Sequence, residues 1–175
     1  MRKTLLIILL LFLSVGFSQQ KKSDEPNPKK GIKTETILKY EYEEKFGELE
    51  VILEGKYIYK YDSNGNQIEW SMYNSDGSFF SKTIYKYDSN GNEIESSRYD
   101  SDGSLLWKTI SQYDSNGNEI EWSWYNSDGS LEEKNIYKYD SKNRTIELII
   151  YEYESRLGEL QERPIIKTTY EYVEY

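Results

Sequence analysis

The chain has 175 residues, a formal net charge of −9, an aromatic content of 15%, and neither cysteine nor histidine. This composition excludes disulfide bridges, zinc sites built from thiolate or imidazole ligands, and catalytic arrangements that use cysteine or histidine. The acidic balance argues against nucleic acid as a partner, because phosphate binding relies on a basic surface.

The chain begins with a predicted signal peptide, residues 1–18. An unbroken apolar run, Leu5 to Leu13, follows two basic residues, and small residues suited to a cleavage site follow it at Gly16 and Ser18. The apolar stretch is shorter than the roughly 20 residues that a membrane-spanning helix needs. We therefore expect an exported protein, periplasmic, cell-surface or extracellular, with no integral membrane span after cleavage.

Residues 19–32 are predicted to form a flexible linker. The segment is polar and basic, Pro26 and Pro28 interrupt it, and it has no apolar side to bury. From residue 33 onward Tyr, Ile and Glu alternate, which indicates that strands begin there. Residues 33–175 are therefore predicted to form one domain.

This domain is predicted to consist of β-hairpin repeats, which are regular over residues 59–140. The motif Tyr-Asp-Ser-Asn-Gly-Asn recurs with a 26-residue period at 61–66, 87–92 and 113–118, and Tyr-Asn/Asp-Ser-Asp-Gly-Ser follows 12 residues after each copy. Asn-Gly and Asp-Gly between alternating strands are the strongest short-range hairpin signals. The predicted fold class is thus all-β, an antiparallel meander of tandem hairpins in one elongated, twisted or curled sheet. The atypical segments on both sides are predicted to be capping strands.

Two hairpin registers remain open. If Asn90-Gly91 is a two-residue type I′ turn, Tyr87 faces Ile94. If Asp88 opens a type I turn that the glycine closes as a bulge, Tyr87 faces Glu93, because a slip of one residue changes every pair that follows. Aspartate at the first turn position favours the bulged form.

The segment Tyr-Lys-Tyr-Asp-Ser-Asn-Gly-Asn, at 59–66 and again at 85–92, resembles the YD repeat of bacterial Rhs and related cell-surface proteins. The resemblance covers residues 59–140. It implies an exported or surface-associated protein with a long, spiralling β-sheet, linked to carbohydrate binding or to carriage of a toxin domain. The 26-residue period and the second glycine turn depart from that family. A weaker likeness to MORN-like repeat proteins implies a small interaction or antitoxin-type module.

No catalytic residue, metal site or cofactor is predicted, and we do not expect an enzyme. Asp88, Asn90 and Asn92 alternate like the ligands of a calcium loop, but glycine stands fourth and no glutamate closes the loop, so the segment is interpreted as a turn. Four glutamates recur at repeat spacing, as the paired carboxylates of a glycosidase would, and are interpreted as solvent-facing strand charge: Glu93, Glu95, Glu119 and Glu121.

The candidate ligand-binding residues are aromatic. Planar side chains with an apolar body and a polar group suit stacking on a sugar ring or contact with a protein, and a single-layer sheet cannot hide both faces. Packing on the concave side of a twisted sheet is the competing interpretation. We expect a binding or interaction scaffold for a glycan or an envelope protein, with a structural spacer of a surface assembly or a MORN-like module as alternatives. The candidates are Trp70, Trp107, Trp122, Trp124, Tyr85 and Tyr87.

Overall fold

The computed structural model describes residues 27–156 and 159–175, so the predicted signal peptide and residues 19–26 of the predicted linker lie outside it. The described chain forms one sheet of ten strands, each antiparallel to the next in chain order. This confirms the predicted all-β antiparallel meander. The strands are β1 Thr34–Lys45, β2 Glu48–Tyr61, β3 Gln67–Asn74, β4 Phe79–Tyr87, β5 Glu93–Asp100, β6 Leu105–Tyr113, β7 Glu119–Tyr125, β8 Leu131–Tyr139, β9 Thr145–Arg156 and β10 Glu159–Thr169.

The sheet is open, with β1 and β10 as its edges. No helix within the described ranges has the length and apolar character required to cross a membrane. Within the part of the chain that the structure describes, no second layer packs on either face, so longer side chains of the same face cover the strand centres. The buried residues at those centres are small and polar: Ser71, Ser81, Thr83, Ser96, Ser97, Ser123 and Asn135.

The two kinds of turn lie at opposite ends of the strands. Turns 62–66, 88–92, 114–118 and 140–144 define the Asn-Gly end, and turns 74–78, 100–104 and 126–130 define the Asp-Gly end. In the second Asn-Gly turn the backbone N–H of Gly91 donates to the carbonyl of Asp88 at 3.1 Å, and Gly91 has a φ of 82°. This geometry is the type I turn with a glycine bulge, as the opening aspartate favoured.

The aspartate that opens this turn also organises the loop. Oδ1 of Asp88 accepts hydrogen bonds from the backbone N–H groups of Asn90 and Asn92, at 2.9 and 2.8 Å, and Oδ2 accepts one from Nδ2 of Asn92 at 2.9 Å. These bonds, foremost the one from the backbone of Asn92, hold the pKa of Asp88 below its ordinary value. The oxygens that would resemble calcium ligands are therefore engaged within the turn.

The strand register combines features of both predicted alternatives. Tyr87 pairs with Glu93, as the bulged turn requires. The bulged turn also predicts that Lys86 lies opposite Ile94. This part of the prediction is wrong, because Lys86 pairs with Glu95. Ile94 forms an additional bulge that shifts the pairing by one residue. Every other inner hairpin skips one residue at the equivalent place: Ile68, Phe80, Leu106, Ile120, Glu132 and Ile146.

Tyrosine hydroxyls join successive repeat units. The hydroxyl of Tyr87 donates to the backbone carbonyl of Gln67 at 2.8 Å. The equivalent tyrosines, 26 and 52 residues further along, make the same bond at 2.8 and 2.7 Å: Tyr113 to Glu93, and Tyr139 to Glu119. Burial, together with the charge of Glu119, raises the pKa of Tyr113 to about 12. All three tyrosines are half-buried.

The terminal hairpins are longer than the inner ones and extend past the Asp-Gly end. Because β3 pairs with β2 only from Gly55 to Tyr61, residues 40–53 form a projecting two-stranded ribbon around a turn at Phe46 and Gly47, which have positive φ. Alternation places four exposed apolar side chains on one side of this ribbon: Tyr40, Tyr42, Leu49 and Val51.

The described end of the predicted linker contacts the sheet. Nδ2 of Asn27 donates to the carbonyl of Gly65 at 3.0 Å, and Nζ of Lys29 donates to the carboxylate of Glu35 at 2.8 Å. Residues 27–32 therefore lie against the first Asn-Gly turn, which differs from the flexible linker expected for residues 19–32.

Candidate binding face

Cross-strand pairs place all six predicted binding residues on one face of the sheet. Trp70 pairs with Thr83, Thr83 with Arg98, and Arg98 with Trp107. Thr109, two residues beyond Trp107 on the same strand, pairs with Trp124. Residues two positions apart on a regular strand share a face, so Tyr85, Tyr87 and Trp122 lie on the same face. We call this the aromatic face, and its predicted members are Trp70, Trp107, Trp122, Trp124, Tyr85 and Tyr87.

The aromatic face is half-buried rather than covered. Each of the six predicted side chains is intermediate between buried and exposed. Further tyrosines lie on the same face, by the same pairing rules: Tyr57, Tyr59, Tyr61, Tyr113, Tyr137 and Tyr139. Apart from Tyr61, which is 8% exposed, these rings therefore remain partly accessible along several strands.

The opposite face, which we call the charged face, pairs its own charges. Nζ of Lys86 lies 2.9 Å from Oε1 of Glu95, and the ammonium of Lys82 lies over the ring of Tyr99, 5.8 Å from its centroid. Such contacts recur along the sheet, in the pairs Lys60–Glu69, Lys138–Glu147, Lys56–Tyr73, Lys108–Tyr125 and Lys134–Tyr151. Repetitive internal pairing leaves this face less suited to a ligand than the aromatic one.

Trp70 sits in a compact group at one end of the aromatic face. Its ring stacks with that of Tyr59 at 6.4 Å between centroids and 17° between planes. The guanidinium of Arg98 lies 5.7 Å from the Trp70 ring, and its Nη2 donates to Oγ of Ser81 at 3.1 Å. The indole Nε1 of Trp70 is buried and has no hydrogen-bond partner among the described residues. Arg98 therefore adds a fixed positive charge between aromatic rings.

Two glutamates lie among the tyrosines near the Asn-Gly end of the aromatic face. Glu93 pairs with Tyr87, and Glu119 with Tyr113. Burial raises the pKa of both carboxyl groups, and the charge of Glu119 adds to the effect on Glu93. The prediction of solvent-facing charge is wrong for these two, because the pairing turns them onto the half-buried face. Glu95 and Glu121 lie on the charged face.

Two concave regions adjoin the aromatic face. A cleft of about 300 Å³ at the Asp-Gly end is lined by Trp124, Glu132, Glu133, Glu152 and Tyr153. A wider groove of about 510 Å³ lies between the third and fourth Asn-Gly turns, where its lining includes Ile120, Tyr137, Tyr139 and Ile146. Trp124 is the member of the six predicted binding residues that lines the smaller cleft.

Sequence reasoning missed the polar residues among the aromatic ones, chiefly Arg98, Glu133 and Asn135. Each differs from its equivalents in the other two regular repeat units: Met72 and Trp124 for Arg98, Ser81 and Trp107 for Glu133, and Thr83 and Thr109 for Asn135. Comparing equivalent positions of the repeat would have singled them out, but their grouping depends on cross-strand pairing.

No family model and no curated protein matches the chain. Among solved structures, the chain is similar to a protein of unknown function from Bacteroides fragilis, with 19% identity, 78% of this chain and 93% of that chain covered, and a TM-score of 0.39. A porin-like protein from Bacteroides uniformis has 10% identity, 75% and 76% coverage, and a TM-score of 0.31. A protein from Bacteroides vulgatus, of a family of unknown function, has 21% identity, 77% and 98% coverage, and a TM-score of 0.21.

These identities and TM-scores are too low to assign a family or a function. The resemblance to YD and MORN-like repeats therefore stays a prediction. The fold itself defines the class of protein: an open, single-layer array of β-hairpin repeats with one aromatic face.

Proposed function

We propose that this protein is an exported, non-catalytic scaffold of the cell envelope that binds a glycan on its aromatic face. The observation that carries the proposal is that four tryptophans and a ladder of tyrosines share one half-buried face, which no other described element covers. The predicted signal peptide supports export.

The chemistry of the aromatic face suits a polyhydroxylated ligand. Aromatic rings offer apolar surfaces on which the C–H side of a sugar ring stacks. Arg98, Glu93 and Glu119 lie between those rings and offer donors and acceptors for hydroxyl groups.

The spacing of the indoles suits an extended ligand. Trp70 lies on β3 and Trp107 on β6. Three strand spacings separate them, roughly 14 Å in the hydrogen-bonding direction. An elongated chain of several sugars would contact both indoles at once, whereas a single sugar would contact one.

A glycan array with the purified protein tests the proposal. We expect retention of one class of glycan, weakened at least about tenfold by the double substitution Trp122→Leu and Trp124→Leu. The matched control is Tyr99→Leu with Tyr125→Leu on the charged face, which should leave binding unchanged. Circular dichroism and melting would confirm that each variant is folded.

Two results would contradict this function. If the folded wild-type protein retained no glycan, the scaffold would have another ligand. If the aromatic-face substitutions lowered the melting temperature while leaving glycan retention intact, the tryptophans would serve packing, as the spacer alternative predicts.

A protein partner is the second candidate, and the apolar side of the β1–β2 ribbon favours it. Tyr42 and Leu49 are 73% and 71% exposed there, which is unusual for large apolar side chains on one side of a ribbon. Retention of an envelope protein by the wild-type chain, lost on Leu49→Ser with Val51→Ser, would support this candidate. Unchanged retention by that variant would exclude the ribbon as the contact.

A further inference from the structure

The third repeat unit departs from the first two at six equivalent positions. Two lie at its start, where Ser111 and Gln112 replace a tyrosine and a lysine. The other four lie on β7 and β8, where two positions gain a carboxylate, one gains an amide and one gains an indole. These four departures are Trp124 in place of Met72 and Arg98, Glu132 in place of Phe80 and Leu106, Glu133 in place of Ser81 and Trp107, and Asn135 in place of Thr83 and Thr109.

The pairing of β7, β8 and β9 brings these departures together. Trp124 pairs with Glu133, and Glu133 in turn pairs with Glu152 on the next strand. The cleft of about 300 Å³ at the Asp-Gly end is lined by Trp124, Glu132, Glu133 and Glu152, together with Tyr153. The four departures thus lie in or beside one concave region.

The carboxylates of this cleft are poorly balanced by protein charges. Like charges directly opposite each other on neighbouring strands destabilise a sheet, and Glu133 faces Glu152 in this way. Nη2 of Arg163 lies 3.1 Å from Oε2 of Glu152. The carboxylate of Glu133, by contrast, has no hydrogen bond or ion pair to any residue that the structure describes. The sheet therefore keeps an unfavourable pair that a bound cation would relieve.

A buried acceptor lies beside the cleft. Asn135, two positions from Glu133 along β8, is 5% exposed and pairs with Trp122. Its Oδ1 has no hydrogen-bond partner among the described residues. An unpaired buried acceptor costs about 1–3 kcal/mol. This amide oxygen, like the carboxylate of Glu133, has no donor among the described residues, whereas Glu132 accepts from Nδ2 of Asn126 at 2.9 Å and Glu152 from Nη2 of Arg163 at 3.1 Å.

We propose that this cleft binds the positively charged amino group of an amino sugar in the glycan, with Glu133 on the ammonium and Trp124 against the sugar ring. The inference rests on the proposed glycan-binding function and names the class of sugar. The carboxylates that line the cleft supply acceptors alone, which selects a donor-rich cation over a neutral or acidic sugar. The indole adds a flat apolar surface and attracts a cation to its ring.

Calorimetric titration with two hexasaccharides tests the assignment. One is built from glucosamine and the other from N-acetylglucosamine, so the two differ in the acetyl groups that remove the positive charges. At pH 6 we expect the glucosamine hexasaccharide to bind at least about tenfold tighter. Glu133→Gln should remove most of this preference. Glu44→Gln, an exposed glutamate on the β1–β2 ribbon, is the matched control and should keep the preference.

The outcomes separate this inference from the proposed function. Equal affinity for the two hexasaccharides, or a preference that survives Glu133→Gln, would overturn the amino-sugar site while the glycan-binding function stands. A second result would overturn both the amino-sugar site and the glycan-binding function. In it, a lysine-rich peptide binds the wild-type protein and loses affinity on Glu133→Gln, while the wild-type protein binds neither these hexasaccharides nor any arrayed glycan.

Discussion

The hydroxyl of Tyr87 offers a test of how the repeat units are held together. It joins the end of β4 to the carbonyl of Gln67 at the start of β3, at 2.8 Å. Burial raises the pKa of Tyr87, whose side chain is half-buried on the aromatic face. Tyr87→Phe removes the hydroxyl and keeps the ring, so the expected loss is the net value of one hydrogen bond, about 1 kcal/mol of the free energy of unfolding. In a domain of this size that lowers the melting temperature by about 2–4 °C.

The same substitution in all three equivalent tyrosines gives a larger and more decisive effect. The hydrogen bonds of Tyr87, Tyr113 and Tyr139 involve different partners, so their losses should add to about 3 kcal/mol, or about 6–12 °C. The assay is thermal melting followed by circular dichroism. Tyr99→Phe on the charged face is the control, because no described residue bonds its hydroxyl, and its melting temperature should stay within about 2 °C. If the triple variant had the same melting temperature as the Tyr99→Phe control, the idea that these hydroxyls couple the repeat units would be refuted.

Three further perturbations have defined outcomes. Burial raises the pKa values of Glu93 and Glu119, so their charged forms oppose folding at neutral pH; Glu93→Gln with Glu119→Gln should raise the melting temperature at pH 7, and this gain over wild type should shrink as the pH falls to 4. Gly77 has a φ of 83° with open space around it, so Gly77→Ala should cost about 1–2 kcal/mol through backbone strain alone, and Gly77→Asn should cost less, as chemical denaturation would show. Calcium at sub-millimolar concentration should leave the melting temperature unchanged, because the oxygens of Asp88 already accept hydrogen bonds within the turn; a clear rise would contradict this assignment.

The positions of the regular turns could be predicted from sequence because each is determined locally. An aspartate that bonds the loop amides and a glycine with positive φ specify a turn within five residues, as at 88–92. The additional bulge at Ile94 could not be predicted, because an isoleucine in an alternating strand has no local mark of a bulge. The turn at Phe46 and Gly47 was also missed, since it lacks the repeat consensus.

The candidate site could be predicted in part, because the face on which a strand residue lies is also determined locally. Strand alternation relates Trp122 to Trp124, and both lie on the aromatic face as spacing two requires. The proximity of Glu133 to Trp124 and Glu152 depends on cross-strand partners whose register the bulges set. A sequence read one strand at a time cannot supply that information.

The central claim is that the aromatic face is an accessible surface for a glycan, and quenching of tryptophan fluorescence by acrylamide measures this directly. All four tryptophans lie on that face, so the signal reports on no other surface. We predict substantial quenching in the free protein and clear protection when the glycan retained on the array is added to saturation. Quenching that is unchanged by the saturating glycan would place the glycan elsewhere and contradict the account.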